Sequence, residues 1–277
     1  MEGSEELSDA ERDQLLELYR QRLDAFHVHA DQRLDQSPGS SMLQRPLRMV
    51  PRKSRIRQNE AQACGEQGLS RYNVLGSAAE CEPGSNGLVL RNRLGINDPV
   101  VMEELERNQL LDLYQATIGE GISTKPLRTS DLLGWHRDWL STIYDWAGKV
   151  RTFNLSKQGF AFASAHLLPE LLAAFESEHL TSLTPFNPET MHSLVSGLAE
   201  VHLEFVLIHP FREGNGRMAR LLMDVMACQA GIGPLDYSAW DQDRETYFGA
   251  IRAGAVMNPV PMEEQIRQVL PGWSAVR

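Results

Sequence analysis

The sequence predicts an all-α fold: a helical bundle carrying one short β-hairpin, preceded by an N-terminal helical extension. Three observations predict it. Apolar residues recur at helical spacing through most of the chain after residue 98. Cap signals punctuate those runs, with Asp98-Pro99 and Ser130-Asp131 at starts and Gly148 at a stop. The one strand-like stretch is Phe153 to Phe162, which alternates weakly around Gly159 and suggests a hairpin. A lone hairpin among helices fits an all-α domain.

Residues 1–36 read as one acidic amphipathic helix. Ser8 with Glu11 forms a capping box, and Leu15, Leu18, Tyr19, Leu23, Phe26 and Ala30 make an apolar stripe. An isolated helix of this length is marginal, so the stripe needs a surface to cover it. Residues 37–86 lack periodicity and are broken by Pro38, Gly39, Pro46, Pro51, Gly65, Gly68, Pro83 and Gly84. They read as a partly disordered linker. Within it, Arg45, Arg48, Arg52, Lys53, Arg55 and Arg57 form a basic run at 45–57. That run reads as a solvated linker or as a contact to an acidic surface: the 1–36 helix, a nucleic acid or a membrane.

The main domain spans 87–277. A helix capped at Asp98-Pro99 runs to about Ile118, with Val101, Leu105, Leu111 and Tyr114 apolar. A second, capped by Ser130 or Asp131, carries Leu132, Leu133, Trp135, Trp139, Ile143 and Trp146, with Gly148 as its C-cap. After the hairpin, helices are expected at 165–179, 188–208, 214–230, 238–254 and 260–270.

At 277 residues and 42% apolar content the chain can bury a core in one large domain plus an appendage. A net charge of −10 argues against general nucleic-acid affinity. No apolar run approaches the roughly 18 residues that span a membrane. The acidic, polar N-terminus is not a secretory signal. Cys64, Cys81 and Cys228 lack the spacing of a metal site or a disulfide framework, which suits a reducing cytosol, and Cys228 reads as a packed thiol. A cytoplasmic location is therefore expected.

One stretch concentrates chemistry: His209-Pro210-Phe211-Arg212-Glu213-Gly214-Asn215-Gly216-Arg217-Met218-Ala219-Arg220. Pro210 disfavours helix at His209, so the chain turns there. The next helix starts near Glu213 or Gly214, and its N-terminus is an anion site. Gly214 and Gly216 leave room for a phosphate to approach the backbone. His209 can take a proton from an attacking hydroxyl. Glu213 offers a hard oxygen ligand for Mg2+ held between phosphates. Asn215 can donate a hydrogen bond to a phosphate oxygen. Arg217 and Arg220, three apart, present planar forks suited to phosphate.

This segment resembles the Fic family motif, His-x-Phe-x-(Asp/Glu)-Gly-Asn-Gly-Arg-x-x-Arg, with every fixed position present. The resemblance extends over roughly residues 87–270. Asn92 to Pro99 looks like the start of many Fic domains. Trp146 to Arg151, Asn154 to Lys157 and Phe160 to Phe162 look like the approach to the family's flap hairpin, and Tyr247, Ala250-Ile251 and Pro261-Met262 like its closing helices. The resemblance implies a protein adenylyltransferase that moves AMP from Mg-ATP to a Ser, Thr or Tyr hydroxyl of a target protein. His209 would be the base, Phe211 a packing anchor and Glu213 the Mg2+ ligand. Gly214, Asn215 and Gly216 would form the anion-binding turn, and Arg217 and Arg220 would grip the departing phosphates. Ser156, Lys157, Gly159 and Phe160 would form a flap that pins the target's backbone by strand pairing. Relatives that move the γ-phosphate typically carry lysine where Gly216 stands, so this motif favours adenylyl transfer.

Other readings stand beside these. His202 reads as structural, and His136, His166, His179 and His192 carry no assigned chemistry. His27 and His29 do not share a helix face. Tyr237 or Trp240 could contact adenine or sit in the core. Many Fic enzymes are restrained by a helix with the pattern (Ser/Thr)-x-x-x-Glu-(Gly/Asn). No match occurs here; Glu120-Gly121 comes nearest, but Ala116 stands four before it. Restraint could come from a small antitoxin-like inhibitor protein, as in toxin–antitoxin pairs, or from the 1–36 helix, or be lacking. A homo-oligomer is open. The rival functions are transfer from another donor at the same site (UMP, GMP, phosphocholine or phosphate) and a silent protein- or DNA-binding module.

Overall fold

The computed structural model describes residues 80–157 and 159–271. The 1–36 extension, the basic run at 45–57 and the linker as far as residue 79 lie outside the described residues, as do His27, His29 and Cys64. The described chain begins with a turn closed by Glu82 N–H to the Val89 carbonyl (2.8 Å) and Arg91 N–H to the Glu80 carbonyl (3.0 Å). Residues 80–86, placed in the linker by composition, thus fold back on the start of the domain. Cys81 is disulfide-bonded, where spacing alone suggested reduced thiols. Cys228 is buried.

Helix α1 (Pro99–Tyr114) starts as expected: the Asp98 carboxylate accepts from the N–H groups of Val100 (2.8 Å) and Val101 (3.3 Å). It runs on as a π turn, Gln115–Gly119. Helix α2 (Thr129–Leu140) has Arg128 as N-cap, and Asp131 serves from the third position by accepting from Arg128 N–H at 2.8 Å. The helix stops short of the expected Trp146. Arg93 takes the carbonyls of Ser141 (2.8 Å, from its side chain) and Ile143 (2.8 Å, from its backbone), giving that segment partners other than a helix ladder.

Strands β1 (Ser156–Lys157) and β2 (Phe160–Ala161) form the antiparallel hairpin, with Ser156 opposite Ala161 and Lys157 opposite Phe160. A 3₁₀ turn (Ala165–Leu167), α3 (Leu168–Phe175) and a π turn (Glu176–Leu180) follow. Helix α4 (Met191–Ile208) is capped by Thr190, whose hydroxyl accepts from Ser193 N–H at 3.1 Å. With 18 residues and a mean hydropathy of 1.3 it is long and apolar enough to cross a membrane, contrary to the sequence expectation. Its apolar surface is spent on the fold, since it packs against α3, α5 (Asn215–Gln229) and α8 (Val260–Val269). The expected helix 238–254 divides into α6 (Ser238–Gln242) and α7 (Arg244–Gly254). The Asp243 carboxylate caps Thr246 N–H (3.1 Å) and its hydroxyl (2.6 Å), a local bond that competes with helix continuation.

The core is continuous from α1 to α8. Trp139, Phe175, Phe205, Phe211 and Trp240 are fully buried within it. Helices α4 and α5 both contribute buried residues to it, so the loop between them, residues 209–214, is held by two core helices.

Candidate active site

The α4 helix ends at His209, which adopts the left-handed conformation (φ 53°, ψ 59°). A non-glycine residue there is uncommon and held only by its surroundings. Arg151 supplies much of the hold. Its Nε–H donates to the His209 carbonyl (2.7 Å), and its other nitrogens reach the carbonyls of Ile208 (3.2 Å), Phe153 (2.7 Å) and Ala163 (2.6 Å). Its own N–H donates to the Pro210 carbonyl at 2.9 Å. One buried guanidinium thus ties the end of α4 to both approaches of the hairpin.

His209 is 5% exposed. Its Nδ1 lies 3.0 Å from the Val206 carbonyl, which can only accept, so Nδ1 carries the proton and Nε2 is the basic nitrogen. Burial pushes its pKa down to about 3, aided by the charges of Arg151 and Lys157 and opposed by the Val206 bond and Glu213. The imidazole is therefore neutral near pH 7. Phe162, just past β2, stacks on the ring with centroids 3.6 Å apart.

Phe211 is fully buried and stacked on His136 at 3.8 Å. His136 fastens the loop from below. Its Nε2–H donates to the Glu213 carbonyl (3.1 Å) while its Nδ1 accepts from Gly148 N–H (2.8 Å). Burial, and secondarily the Arg217 charge, push its pKa down to about 4 against that Glu213 bond. Asn215, expected in the anion-binding turn, is fully buried. Its amide accepts from Phe211 N–H (2.8 Å) and donates to the Phe211 carbonyl (2.8 Å), so the side chain closes the loop.

Helix α5 then begins behind Gly214, which caps it at φ 83° with no side chain to offer. The first-turn N–H groups are thus left to an outside anion. The two glycines differ in purpose. A Cβ on Gly214 would stand 2.6 Å from Trp139, whereas one on Gly216 would meet nothing within 4 Å. Gly214 is demanded by packing; Gly216 keeps an open face at the helix N-terminus.

The Glu213 carboxylate accepts from Gly214 N–H (3.2 Å) and lies 4.0 Å from Arg217 Nη2. Arg217 donates to Glu106 (2.8 Å) and lies over the Trp139 ring at 4.4 Å. Arg220 makes a two-pronged pair with Asp241 (2.8 and 3.3 Å) above the Tyr237 ring. Among the described residues no group of three or more His, Cys, Asp or Glu could cage a metal. One carboxylate beside an uncapped helix N-terminus instead fits Mg2+ that arrives on phosphates, since that ion commonly takes one or two carboxylates plus substrate oxygens.

The fold therefore brings His209, Glu213, Gly216, Arg217 and Arg220 to one loop and helix start, with the hairpin of Ser156, Lys157, Gly159 and Phe160 attached beside them. Lys157 Nζ reaches across to the Phe248 ring at 4.9 Å. Tyr237 and Trp240 are core aromatics, with Trp240 Nε1–H donating to the Gln265 carbonyl at 3.0 Å. His202 is structural: it is buried and bonded to the Tyr247 hydroxyl at 2.9 Å. Sequence reasoning missed the roles of Arg151, Phe162, His136 and Glu106. The first two lay in segments that match family flanks; the last two carry no local signal.

The sequence profile of the Fic/DOC family matches residues 126–227. The probable protein adenylyltransferase Fic of Salmonella typhimurium is 30% identical over 154 residues, covering 54% of this chain and 72% of that relative. The probable protein adenylyltransferase y4lH of Sinorhizobium fredii is 27% identical over 210 residues, 73% of this chain and 100% of the relative. The BepC protein of Bartonella tribocorum, solved with bound AMPPNP, superposes with a TM-score of 0.54 at 21% identity over 65% of this chain and 91% of that one, a likeness of fold. The chain belongs to the Fic/DOC family. It is an enzyme of the nucleotidyltransferase class, as its curated relatives are.

Proposed function

We propose that this chain transfers AMP from Mg-ATP to a Ser, Thr or Tyr hydroxyl of a target protein. The observation that carries it is the pairing of a neutral, tautomer-fixed His209 with an uncapped helix N-terminus at Gly214. His209 Nε2 takes the proton as the acceptor oxygen bonds to the α-phosphorus; the bond to the β-phosphate oxygen breaks and pyrophosphate leaves. Backbone N–H groups of the first α5 turn hold phosphate oxygens, with Gly216 giving them room. Arg217 and Arg220 would supply positive charge for the leaving group once the nucleotide draws on them. Mg2+ held by Glu213 would neutralise phosphate charge when bound. The hairpin from Ser156 to Ala161 offers edge strands to the target's backbone.

The catalytic domain spans 87–277 in this reading, with the extension as a separate unit. The missing inhibitory pattern supports restraint by a separate small protein, as in a toxin–antitoxin pair; a purified chain that stays inactive even without residues 1–86 would overturn that.

The test is incubation with Mg2+, cell lysate and ATP labelled at the α-phosphate, beside His209→Ala. Label on protein that is absent with the variant is the expected result. Transfer of a γ-phosphate label instead, or label retained by the variant, would overturn the reading.

A further inference from the structure

Glu106 lies on α1, outside the residues that match the family profile. It is nonetheless the closest acid to the motif's first arginine. Arg217 has two carboxylates within reach: Glu106 at 2.8 Å and Glu213 at 4.0 Å. Its Nη2, on the Glu213 side, is buried and makes no hydrogen bond. The guanidinium cannot escape to water, because it is packed over Trp139 at 4.4 Å and its side chain is only 18% exposed. Such a charge holds whichever acid it can reach.

Glu106 is fixed for this contest from both ends. Tyr144 O–H donates to Oε1 (2.7 Å), leaving Oε2 for Arg217, and Trp139 Nε1–H donates to the Glu106 backbone carbonyl (2.8 Å). The same Trp139 is the residue against which Gly214 packs. One cluster of α1, α2 and the Tyr144 turn therefore sets where Arg217 points.

We infer that Glu106 is a positioning residue that draws Arg217 away from Glu213, leaving the Glu213 carboxylate to the cation that enters with the nucleotide. The inference rests on the proposed role of Glu213. Without the Glu106 charge, Arg217 shortens its 4.0 Å ion pair with Glu213 into a direct hydrogen bond and occupies that carboxylate.

The test is Glu106→Gln in the full chain, which keeps the side chain's shape and one of its two acceptor oxygens and removes the charge. Mn2+ binding to the protein with a non-hydrolysable ATP analogue is followed by electron paramagnetic resonance, beside wild type and Glu213→Ala. We expect Mn2+ affinity to fall about tenfold in Glu106→Gln, as for loss of a group that orients a metal ligand. Tyr144→Phe, which keeps the charge but frees the carboxylate, shifts affinity the same way by less. Wild-type Mn2+ affinity in a folded Glu106→Gln protein overturns the inference. If that variant does not fold, an unshifted Tyr144→Phe overturns it. Wild type binding Mn2+ no better than Glu213→Ala instead removes the role of Glu213, and with it the premise.

Discussion

The ring of Phe162 lies nearly parallel to that of His209, 16° from coplanar with centroids 3.6 Å apart. The base is thus roofed by the residue that follows the hairpin's return strand, and its burial depends on where the hairpin sits. Ala163 N–H, next in the chain, donates to the Leu207 carbonyl at 3.2 Å and fixes that seat.

Phe162→Ala opens the roof and restores water to the imidazole. In the wild type, His209 with a pKa near 3 stays neutral down to acid pH, so its protonation sets no acid limb to kcat between pH 5 and 8. In the variant the pKa returns toward 6.5 and an acid limb enters that window. A pH–rate profile of label transfer checks this, and an unchanged profile would refute the roofing role.

Gly214→Ala and Gly216→Ala should part company. The first forces a Cβ against Trp139 at a left-handed backbone position and should cost about 2 kcal/mol or more of stability. The second should leave stability within about 0.5 kcal/mol, because its Cβ meets nothing, yet weaken ATP-analogue binding. Urea unfolding and calorimetric titration of both variants separate the two purposes.

His136→Ala removes the donor to Glu213, the acceptor for Gly148 and the stack on Phe211 at once. A loss of about 2–4 kcal/mol is expected, with the transfer rate falling as the 209–214 loop loosens. Asn215→Ala should cost about 2 kcal/mol for the same reason, through its two bonds to Phe211. Denaturation midpoints check both.

Stability should fall as pH drops below 6.5. Burial holds His136 near 4, and His202 and His209 near 3, all below the unfolded value of 6.5. The unfolded chain therefore takes up protons that the native state refuses, and their stabilising contribution, full above pH 6.5, is lost as pH falls toward 4 and 3. Each histidine adds a slope of up to about 1.4 kcal/mol per pH unit. His202→Gln should flatten the dependence by roughly one third, read from urea midpoints between pH 7 and 4.5.

The sequence by itself determined the helical class, most helix starts and the motif from His209 to Arg220. Those features are local: Asp98, Thr190 and Gly214 act on the next few residues, and the apolar spacing of α4 and α5 shows within one helix. Tertiary structure decided what the motif's side chains face. Asn215 turned inward to Phe211, Arg217 to Glu106 and Arg220 to Asp241, and a histidine with no signal, His136, became the pin under the loop. Glu106 and Arg217 are 111 positions apart. No periodicity joins such residues; they meet because α1, α2 and α5 share one core, and a charge buried there takes the acid that packing brings within reach. The same competition ended α2 at Leu140 and split 238–254 at Asp243, where side chains offered the backbone partners that helical spacing does not reveal.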